Sequence, residues 1–192
     1  MAGAYGWAEW SVFDPAGRIH LFRYYACMGF VEPDDIVIEA ACGNGAGADL
    51  MSRRCKQVIA YELEADQIAG ARGSYKAENI EWIVADLEMA ILKPADVAVT
   101  IETIEHLADA THFVKELHEK VRKFIVFTVD TLPSVASGLP TTHKKDYSIQ
   151  EAIDLMTDDD WLLMSGFMMG NSYWGCVFNQ KYFRRKYWGW IV

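Results

Sequence analysis

Apolar and polar residues follow one another along this chain in blocks that predict strands and helices in turn. Short, β-branched runs predict strands at 36–38, 57–61, 81–85, 96–101 and 124–129. Apolar residues spaced by three or four predict helices at 17–30, 46–54, 64–77, 110–123 and 148–157. The segments 161–169 and 173–183 flank Gly170 and predict a hairpin. This order predicts an α/β fold with a mostly parallel seven-stranded sheet and an antiparallel C-terminal hairpin strand.

Composition and charge limit the classes of protein that fit this pattern. A chain of 192 residues, 52% of them hydrophobic, suits a single domain, in which we expect 1–30 to form a lid or helix region and 31–192 the core. No apolar run approaches the roughly 20 residues of a membrane helix, and the first ten residues do not resemble a signal peptide. The net charge of -9 argues against non-specific binding of polyanions. The four scattered cysteines predict free thiols, so we expect a cytoplasmic protein.

The strongest chemical feature is a glycine-rich turn after the first strand. Residues 39–47 read EAACGNGAG, with glycine at Gly43, Gly45 and Gly47. Glycine adopts positive φ and lets the backbone approach a ligand closely. The helix that follows is expected to present its first free N–H groups to the same place. A strand, a glycine turn and a helix in this order predict a nucleotide-type site.

Acidic residues follow the ends of successive strands. Glu39 ends the first strand, Glu62 the second, and Asp86 and Glu102 follow the third and fourth. The carboxyl ends of parallel strands meet at one edge, so these acids predict a rim that binds the hydroxyls or amine of a nucleoside. Acids repel a pyrophosphate and suit a cationic ligand. Because the turn is also not G-x-G-x-x-G, a dehydrogenase that uses a nicotinamide dinucleotide is the weaker interpretation.

Taken together, these segments make the chain resemble the class I S-adenosylmethionine-dependent methyltransferases over nearly its whole length. EAACGNGAG is similar to their first motif, although Glu39 stands where Asp is usual and Ala41 where Gly is common. HLFRYYA, residues 20–26, is similar to the helix that precedes this motif, and TIETIEHL to the segment after the fourth strand. The resemblance implies a three-layer Rossmann-like sandwich. It also implies S-adenosylmethionine as cofactor and S-adenosylhomocysteine as product.

The resemblance assigns a role to each part of the rim. The turn at 41–45 would pack against the methionine part of the cofactor, and Glu62 would bind both ribose hydroxyls. Asp86 with Leu87 would recognise the adenine, and Arg23 or Tyr24 would lie near the cofactor carboxylate. The cofactor-binding residues expected on this basis are Arg23, Glu39, Ala41, Gly43, Gly45, Glu62, Asp86, Leu87 and Ile101.

Three residues are candidates for catalysis of methyl transfer. The protein must align the acceptor with the sulfonium methyl group. A hydroxyl or amine acceptor must also lose a proton, for which a histidine is suited. His106 and His143 lie on segments at the C-terminal edge of the sheet, and Glu102 is placed to orient the acceptor. We expect a small-molecule acceptor, an O or N nucleophile, and no metal or membrane partner.

Two other functions stay open at this point. Enzymes that methylate the 2′-hydroxyl at the 3′ end of small RNAs carry E-x-x-E-H and a later histidine, and there the four side chains hold a divalent metal. This chain has Glu102, Glu105, His106 and His143 in that order, a reasonable set of metal ligands. RNA would then be the partner, and a chelator would abolish activity. The second alternative is a non-catalytic module that binds the cofactor without turnover.

Overall fold

The computed structural model, which describes residues 15–133, 135 and 142–188, is built around one seven-stranded sheet. The strands are β1 (Ile36–Ala40), β2 (Gln57–Glu62), β3 (Ile80–Val84), β4 (Ala95–Ile101), β5 (Val121–Asp130), β6 (Trp161–Met169) and β7 (Ser172–Asn179). Their spatial order is β3-β2-β1-β4-β5-β7-β6. The first five are parallel, whereas β7 runs antiparallel to both β5 and β6. This confirms the predicted mixed sheet with its antiparallel hairpin.

Helices cover both faces of the sheet and complete three layers. They are α1 (Pro15–Met28), α2 (Ala46–Ser52), α3 (Ala65–Ser74), α4 (Thr111–Lys120), α5 (Ile149–Met156) and α6 (Gln180–Phe183), with a 3₁₀ turn at Ile104–His106 and a π-helical turn at Arg184–Trp188. Strand side chains alternate between the two faces. Val37 therefore packs in the core under α1, α2 and α3, and Ile38 in the core under α4 and α5.

One predicted boundary is wrong where α4 meets β5. The helix expected over 110–123 ends at Lys120, and β5 begins at the next residue. The Lys123 ammonium donates to the buried carboxylate of Asp35 and to Glu32, at the start of β1. This ion pair links β5 to β1. It is a tertiary contact between distant residues, so the local apolar spacing could not indicate where the strand begins.

The C-terminal hairpin is also shorter than predicted. Its second strand, expected to reach residue 183, ends at Asn179. The Asn179 side chain accepts a hydrogen bond from the backbone N–H of Tyr182 at 3.3 Å and begins α6. The predicted capping box of α5 is confirmed, because Ser148 and Glu151 bond reciprocally at its first turn.

All four cysteines are buried and free, as expected. Among the described helices, none is both long and apolar enough to cross a bilayer. Of the lid or helix region expected at 1–30, residues 1–14 lie outside the described part of the chain.

Candidate functional site

The turn between β1 and α2 has left-handed backbone at three positions. The φ angles are +58° at Ala41, +54° at Gly43 and +81° at Gly45. Cys42 N donates to Tyr61 O of β2 at 2.9 Å, and Gly45 N donates to Cys42 O at 2.9 Å, which ties the turn to the sheet. A Cβ added at Gly43 would meet no atom within 4 Å. The backbone at Gly43 therefore faces open space at the carboxyl edge of the sheet.

Two non-glycine residues hold this conformation at adjacent strand ends. Ala41 follows β1, and Glu102, with a φ of +50°, follows β4. A left-handed backbone costs a residue with a Cβ about 1–2 kcal/mol. Strain of this kind is found mainly where a ligand or catalytic group must be positioned. The alanine that replaces the usual glycine is thus accommodated without loss of the turn.

Behind the turn the packing is tight. A Cβ added at Gly45 would lie 2.5 Å from Trp82, and one added at Gly47 would lie 2.1 Å from Tyr24 and 2.2 Å from Glu39. Real Cβ atoms do not approach other atoms this closely. Position 45 requires glycine both because its φ is positive and because a side chain would clash there. Position 47 requires glycine only because a side chain would clash.

The N-terminus of α2 is less open than the sequence predicted. The N–H of Ala46, its first residue, donates to Asn44 Oδ1 at 3.1 Å, so this group is not free. The helix is also only 7 residues long, and a short helix has little dipole to offer an anion. A ligand at this edge would be held by the turn and the strand-end acids.

Glu39 lies behind the turn, between α1 and α2. The Tyr24 hydroxyl donates to its Oε1 at 2.7 Å, and the residue is 1% exposed. Burial raises the pKa of Glu39 to about 8, an effect that the Tyr24 hydrogen bond partly offsets and the nearby charge of Glu62 increases. Glu39 therefore joins α1 to the turn and is not part of its open face.

This carboxyl group predicts that stability falls as pH rises. In the unfolded chain it ionises near pH 4.5, but in the folded protein only near pH 8. Between these values only the folded state keeps the proton, so the stabilisation is complete below the lower pKa and is lost as pH rises through the upper one. Glu39→Gln, which cannot ionise, should reduce this loss by more than about 1.4 kcal/mol. Denaturant unfolding between pH 4.5 and pH 8 measures the free energy of unfolding of both proteins. If it fell equally with pH in the wild type and in Glu39→Gln, the raised pKa would not belong to Glu39.

Glu62 ends β2 beside the turn, as its spacing predicted. Its Oε2 accepts from Gly43 N at 2.8 Å and its Oε1 from Glu64 N at 3.0 Å. A carboxylate oxygen has two lone pairs, so each can accept a further hydrogen bond. The Glu62 carboxylate and the open backbone of Gly43 thus form one continuous rim.

The segment after β3 joins the same rim. Ala85 N donates to Glu62 O at 2.8 Å. Asp86, the next residue, is exposed, and its Oδ1 accepts from Glu88 N at 2.9 Å. Leu87 is buried in the core beneath. This backbone contact brings the segment that begins with Asp86 and Leu87 to the same edge of the sheet as Glu62.

A second polar cluster surrounds Glu102 at the end of β4, next to Ile101. Thr128 Oγ1 of β5 donates to its Oε1 at 2.8 Å, and Ser172 Oγ of β7 donates to its Oε2 at 3.0 Å. Arg23 of α1 donates to Ser172 Oγ at 2.5 Å and lies 3.4 Å from the same Oε2. The Nε atom of Arg23 is buried and has no partner within the described structure. Side chains from three elements of the fold, α1, β5 and β7, thus converge on the carboxylate that follows β4.

Thr128 and Ser172 were not predicted as site residues. Thr128 lies near the carboxyl end of β5, so the rule that parallel strand ends form the rim could have included it. Ser172 has no such signal, because it begins β7 and reaches this edge only through the antiparallel course of that strand. Arg23, expected beside the cofactor carboxylate, is paired with Glu102.

His106 and His143 face each other near this cluster. Their ring centroids are 4.9 Å apart, with the planes at 82°. Lys144 N donates to Glu105 O at 2.7 Å, which holds the later segment against the 3₁₀ turn. Burial lowers the pKa of His106; a hydrogen bond that the ring donates to the backbone of Thr142 opposes this effect, and His143 adds to it. The His106 imidazole is therefore neutral near pH 7 and able to accept a proton.

The four side chains of the metal alternative do not converge on one point. Glu105 is fully buried, and its Oε1 accepts from Asp130 N at 2.8 Å. The Glu102 carboxylate is bound to Thr128 and Ser172. In the part of the chain that the structure describes, no three side chains of His, Cys, Asp or Glu are grouped so as to hold a metal ion.

Comparison with known proteins identifies the class to which this fold and site belong. A family described as a methyltransferase domain matches residues 38–124, which contain the turn, Glu62, Asp86 and Glu102. This match, together with the relatives described below, supports a class I S-adenosylmethionine-dependent methyltransferase domain.

Two curated relatives are similar in sequence. A probable S-adenosylmethionine-dependent methyltransferase of Mycobacterium tuberculosis is 32% identical over 130 residues, which cover 64% of this chain and 47% of the relative. A probable S-adenosylmethionine-dependent methyltransferase of Mycolicibacterium smegmatis is 31% identical over 127 residues, which cover 62% of this chain and 49% of the relative. The chain thus spans about half the length of the curated relatives it matches.

Solved structures share the fold at low identity. The magnesium protoporphyrin IX methyltransferase of Synechocystis, with bound S-adenosylhomocysteine, superposes with a TM-score of 0.73 at 11% identity, covering 90% of this chain and 92% of that one. The N-methyltransferase NodS of Bradyrhizobium japonicum superposes with a TM-score of 0.70 at 15% identity, covering 84% of this chain and 97% of that one. At these identities the likeness establishes the architecture alone.

Proposed function

We propose that this protein binds S-adenosylmethionine at the rim and moves its methyl group to an O or N nucleophile of a small-molecule acceptor, releasing S-adenosylhomocysteine. The observation that carries the proposal is the open left-handed turn at Gly43 beside the Glu62 carboxylate. A nucleoside can approach that backbone closely while the acid accepts hydrogen bonds from its hydroxyls. The curated relatives named as S-adenosylmethionine-dependent methyltransferases support the choice of cofactor.

The side chains at the rim fit this cofactor. Glu62 has lone pairs available for two ribose hydroxyls, and the exposed carboxylate of Asp86 can accept from an adenine amine. The buried Arg23 Nε has an unused N–H donor that a ligand carboxylate can accept from. When bound, the cofactor supplies an electrophilic methyl group on a cationic sulfur. The acidic rim favours that positive charge.

The chain's own residues would orient the acceptor and remove its proton. Thr128 and Ser172 hold the Glu102 carboxylate in place, where it can accept a hydrogen bond from an acceptor hydroxyl or amine. His106 and His143 lie beside it, and the neutral His106 imidazole can take the acceptor proton. The four buried free thiols fit the reducing cytoplasm that the sequence predicts.

Loss of this base should reduce turnover without affecting cofactor binding. We expect His106→Asn to lower the rate of S-adenosylhomocysteine release by about 10²–10⁴-fold on an acceptor that the wild type methylates. Calorimetry should find the affinity for S-adenosylmethionine unchanged. His118→Asn is the matched control, because His118 lies near the end of α4 and bonds Asp158, away from the rim. An unchanged rate for His106→Asn would remove His106 from the mechanism.

Calorimetry and an acceptor panel separate the competing functions. Binding of S-adenosylmethionine but not of a nicotinamide dinucleotide supports the proposed cofactor, and the reverse result rejects it. Methyl transfer to small hydroxyl or amine compounds that persists with a chelator supports the proposed acceptor class. Transfer only to RNA 3′ ends, abolished by the chelator, would establish the metal-dependent alternative. Binding without product on any acceptor would establish a non-catalytic module.

A further inference from the structure

The outer edge of β6 is open in the described part of the chain. β6 is the last strand of the sheet and pairs with β7 alone among the described strands. Of its 9 residues, only the first and last are buried. The large exposed side chains along it are Leu162, Leu163, Met164, Phe167 and Met168. Such an edge presents free backbone N–H and C=O groups together with apolar side chains on both faces.

Apart from one bulge, this strand lacks the features that usually prevent edge pairing. Its sequence, WLLMSGFMM, contains no charged residue and no proline. Its pairing with β7 has one irregularity, a register shift between Leu163 and Ser165. An apolar groove of about 630 Å³ lies beside it, with Phe124, Phe178 and Phe183 in its wall and Leu162 and Met164 at the β6 side. The edge is therefore suited to accept another strand.

We propose that the occupant is the β6 strand of a second copy of this chain, paired antiparallel about a two-fold axis so that two sheets become one. Self-pairing of one strand about a two-fold axis closes on itself and gives a dimer, not an open fibre. The chain carries a net charge of -9, which opposes self-association, so an uncharged segment is the favoured place for two copies to meet. Because β6 is uncharged, pairing here places no like charges opposite each other.

The side-chain register of β6 supports a self-complementary pairing. Leu162 lies opposite Phe178 of β7 and Phe167 opposite Trp174, on the face of the sheet that carries the groove and α1. A two-fold axis between Met164 and Ser165 brings Leu162 of one copy opposite Phe167 of the other. Directly paired residues in antiparallel strands must share a face, and this register meets that condition.

On the other face of β6, the proposed axis also pairs residues that share a face. Leu163 lies opposite Val177, which packs in the core under α5. Gly166 is on this face too, because an added Cβ there would meet Tyr173 of the same core. The proposed axis pairs Leu163 of one copy with Gly166 of the other, so a large side chain meets a small one.

Charge substitution at the proposed axis tests the dimer. Light scattering and sedimentation should give the wild type a mass twice that of one chain. Met164→Lys and Met164→Glu, each at a 57% exposed position that a monomer tolerates, should raise the dimer dissociation constant by more than about 10-fold because like charges meet at the axis. An equimolar mixture of the two variants should restore the dimer. Met89→Lys, at a 77% exposed methionine after β3, is the control and should remain dimeric.

Hydrogen exchange identifies the strand that pairs. We expect the backbone N–H groups of β6 that point away from β7 to exchange slowly in the wild-type dimer and faster in Met164→Lys. A wild type that stays monomeric up to about 100 μM would overturn the proposal, as would a Met164→Lys protein that dimerises normally. Slow exchange of β6 in a monomer would also overturn it, since another part of the same chain would then cover the edge.

Discussion

Gly47→Ala should destabilise the protein by about 3 kcal/mol, which lowers the melting temperature by roughly 6–12 °C for a chain of this size. The new methyl group would lie 2.1 Å from the Tyr24 ring and 2.2 Å from Glu39 Oε1. The ring cannot move away cheaply, because Tyr24 is 5% exposed and its hydroxyl is bound to Glu39. The start of α2 must shift instead. The turn that precedes it would then lose its shape and with it the affinity for S-adenosylmethionine.

Gly70→Ala provides the matched control for this substitution. Gly70 lies inside α3, and an added Cβ there would meet no atom within 4 Å. Alanine restricts the unfolded chain and favours the helix, so this variant should be more stable by about 0.5–1 kcal/mol. Thermal unfolding of both variants, with calorimetric binding, measures the contrast. Equal stability of the two proteins would show that the space behind the turn is not occupied as described.

Glu62→Ala should weaken binding of S-adenosylmethionine and S-adenosylhomocysteine by about 1.5–3 kcal/mol, or roughly 10–150-fold. The lost carboxylate would have accepted hydrogen bonds from the ribose hydroxyls. It also holds Gly43 N–H at 2.8 Å, so part of the loss would arise from a less ordered turn. Calorimetric titration with both nucleosides measures the effect, and an unchanged affinity would contradict the ribose assignment.

Two further variants separate ligand binding from support of the turn. Glu62→Gln keeps one acceptor oxygen for Gly43 N–H but loses the charge and the second acceptor. We therefore expect it to fold like the wild type and still to bind the nucleosides more weakly. Glu64→Ala removes an exposed carboxylate two residues away that makes no capping hydrogen bond, and it should bind normally. If Glu64→Ala weakened binding as much as Glu62→Ala, the loss of affinity would come from removing any negative charge near the rim and not from a hydrogen bond made by Glu62.

The order of elements and the turn could be predicted because both depend on local patterns. Apolar runs such as 96–101 indicate a strand buried on both faces, and the alternation of strands with helices leaves few topologies. The glycines of the turn follow from the backbone conformations that only small residues adopt easily. In a parallel sheet the strand ends share one edge, so the positions of Glu62, Asp86 and Glu102 in the sequence predict that they lie along a rim.

The directions of side chains could not be predicted in the same way. Glu39 belongs to the rim by position, yet it lies behind the turn because Tyr24 of α1 binds it there. Arg23 was expected beside the cofactor and is paired with Glu102, which Ser172 also contacts from 70 residues further along the chain. Such contacts depend on how α1 and the hairpin pack against the sheet. No local spacing encodes that packing.

By itself, the sequence determined the kind of fold, the edge at which we propose that the cofactor binds and the acidic character of that edge, because each follows from periodicity, glycine content and charge. Only the tertiary structure decided which acids face the open rim, which basic group neutralises Glu102, and that no other described strand pairs with the apolar edge of β6. The physical reason is that burial, ion pairing and strand order arise between residues far apart in the chain. Their energies depend on a geometry that exists only once the whole sheet has formed.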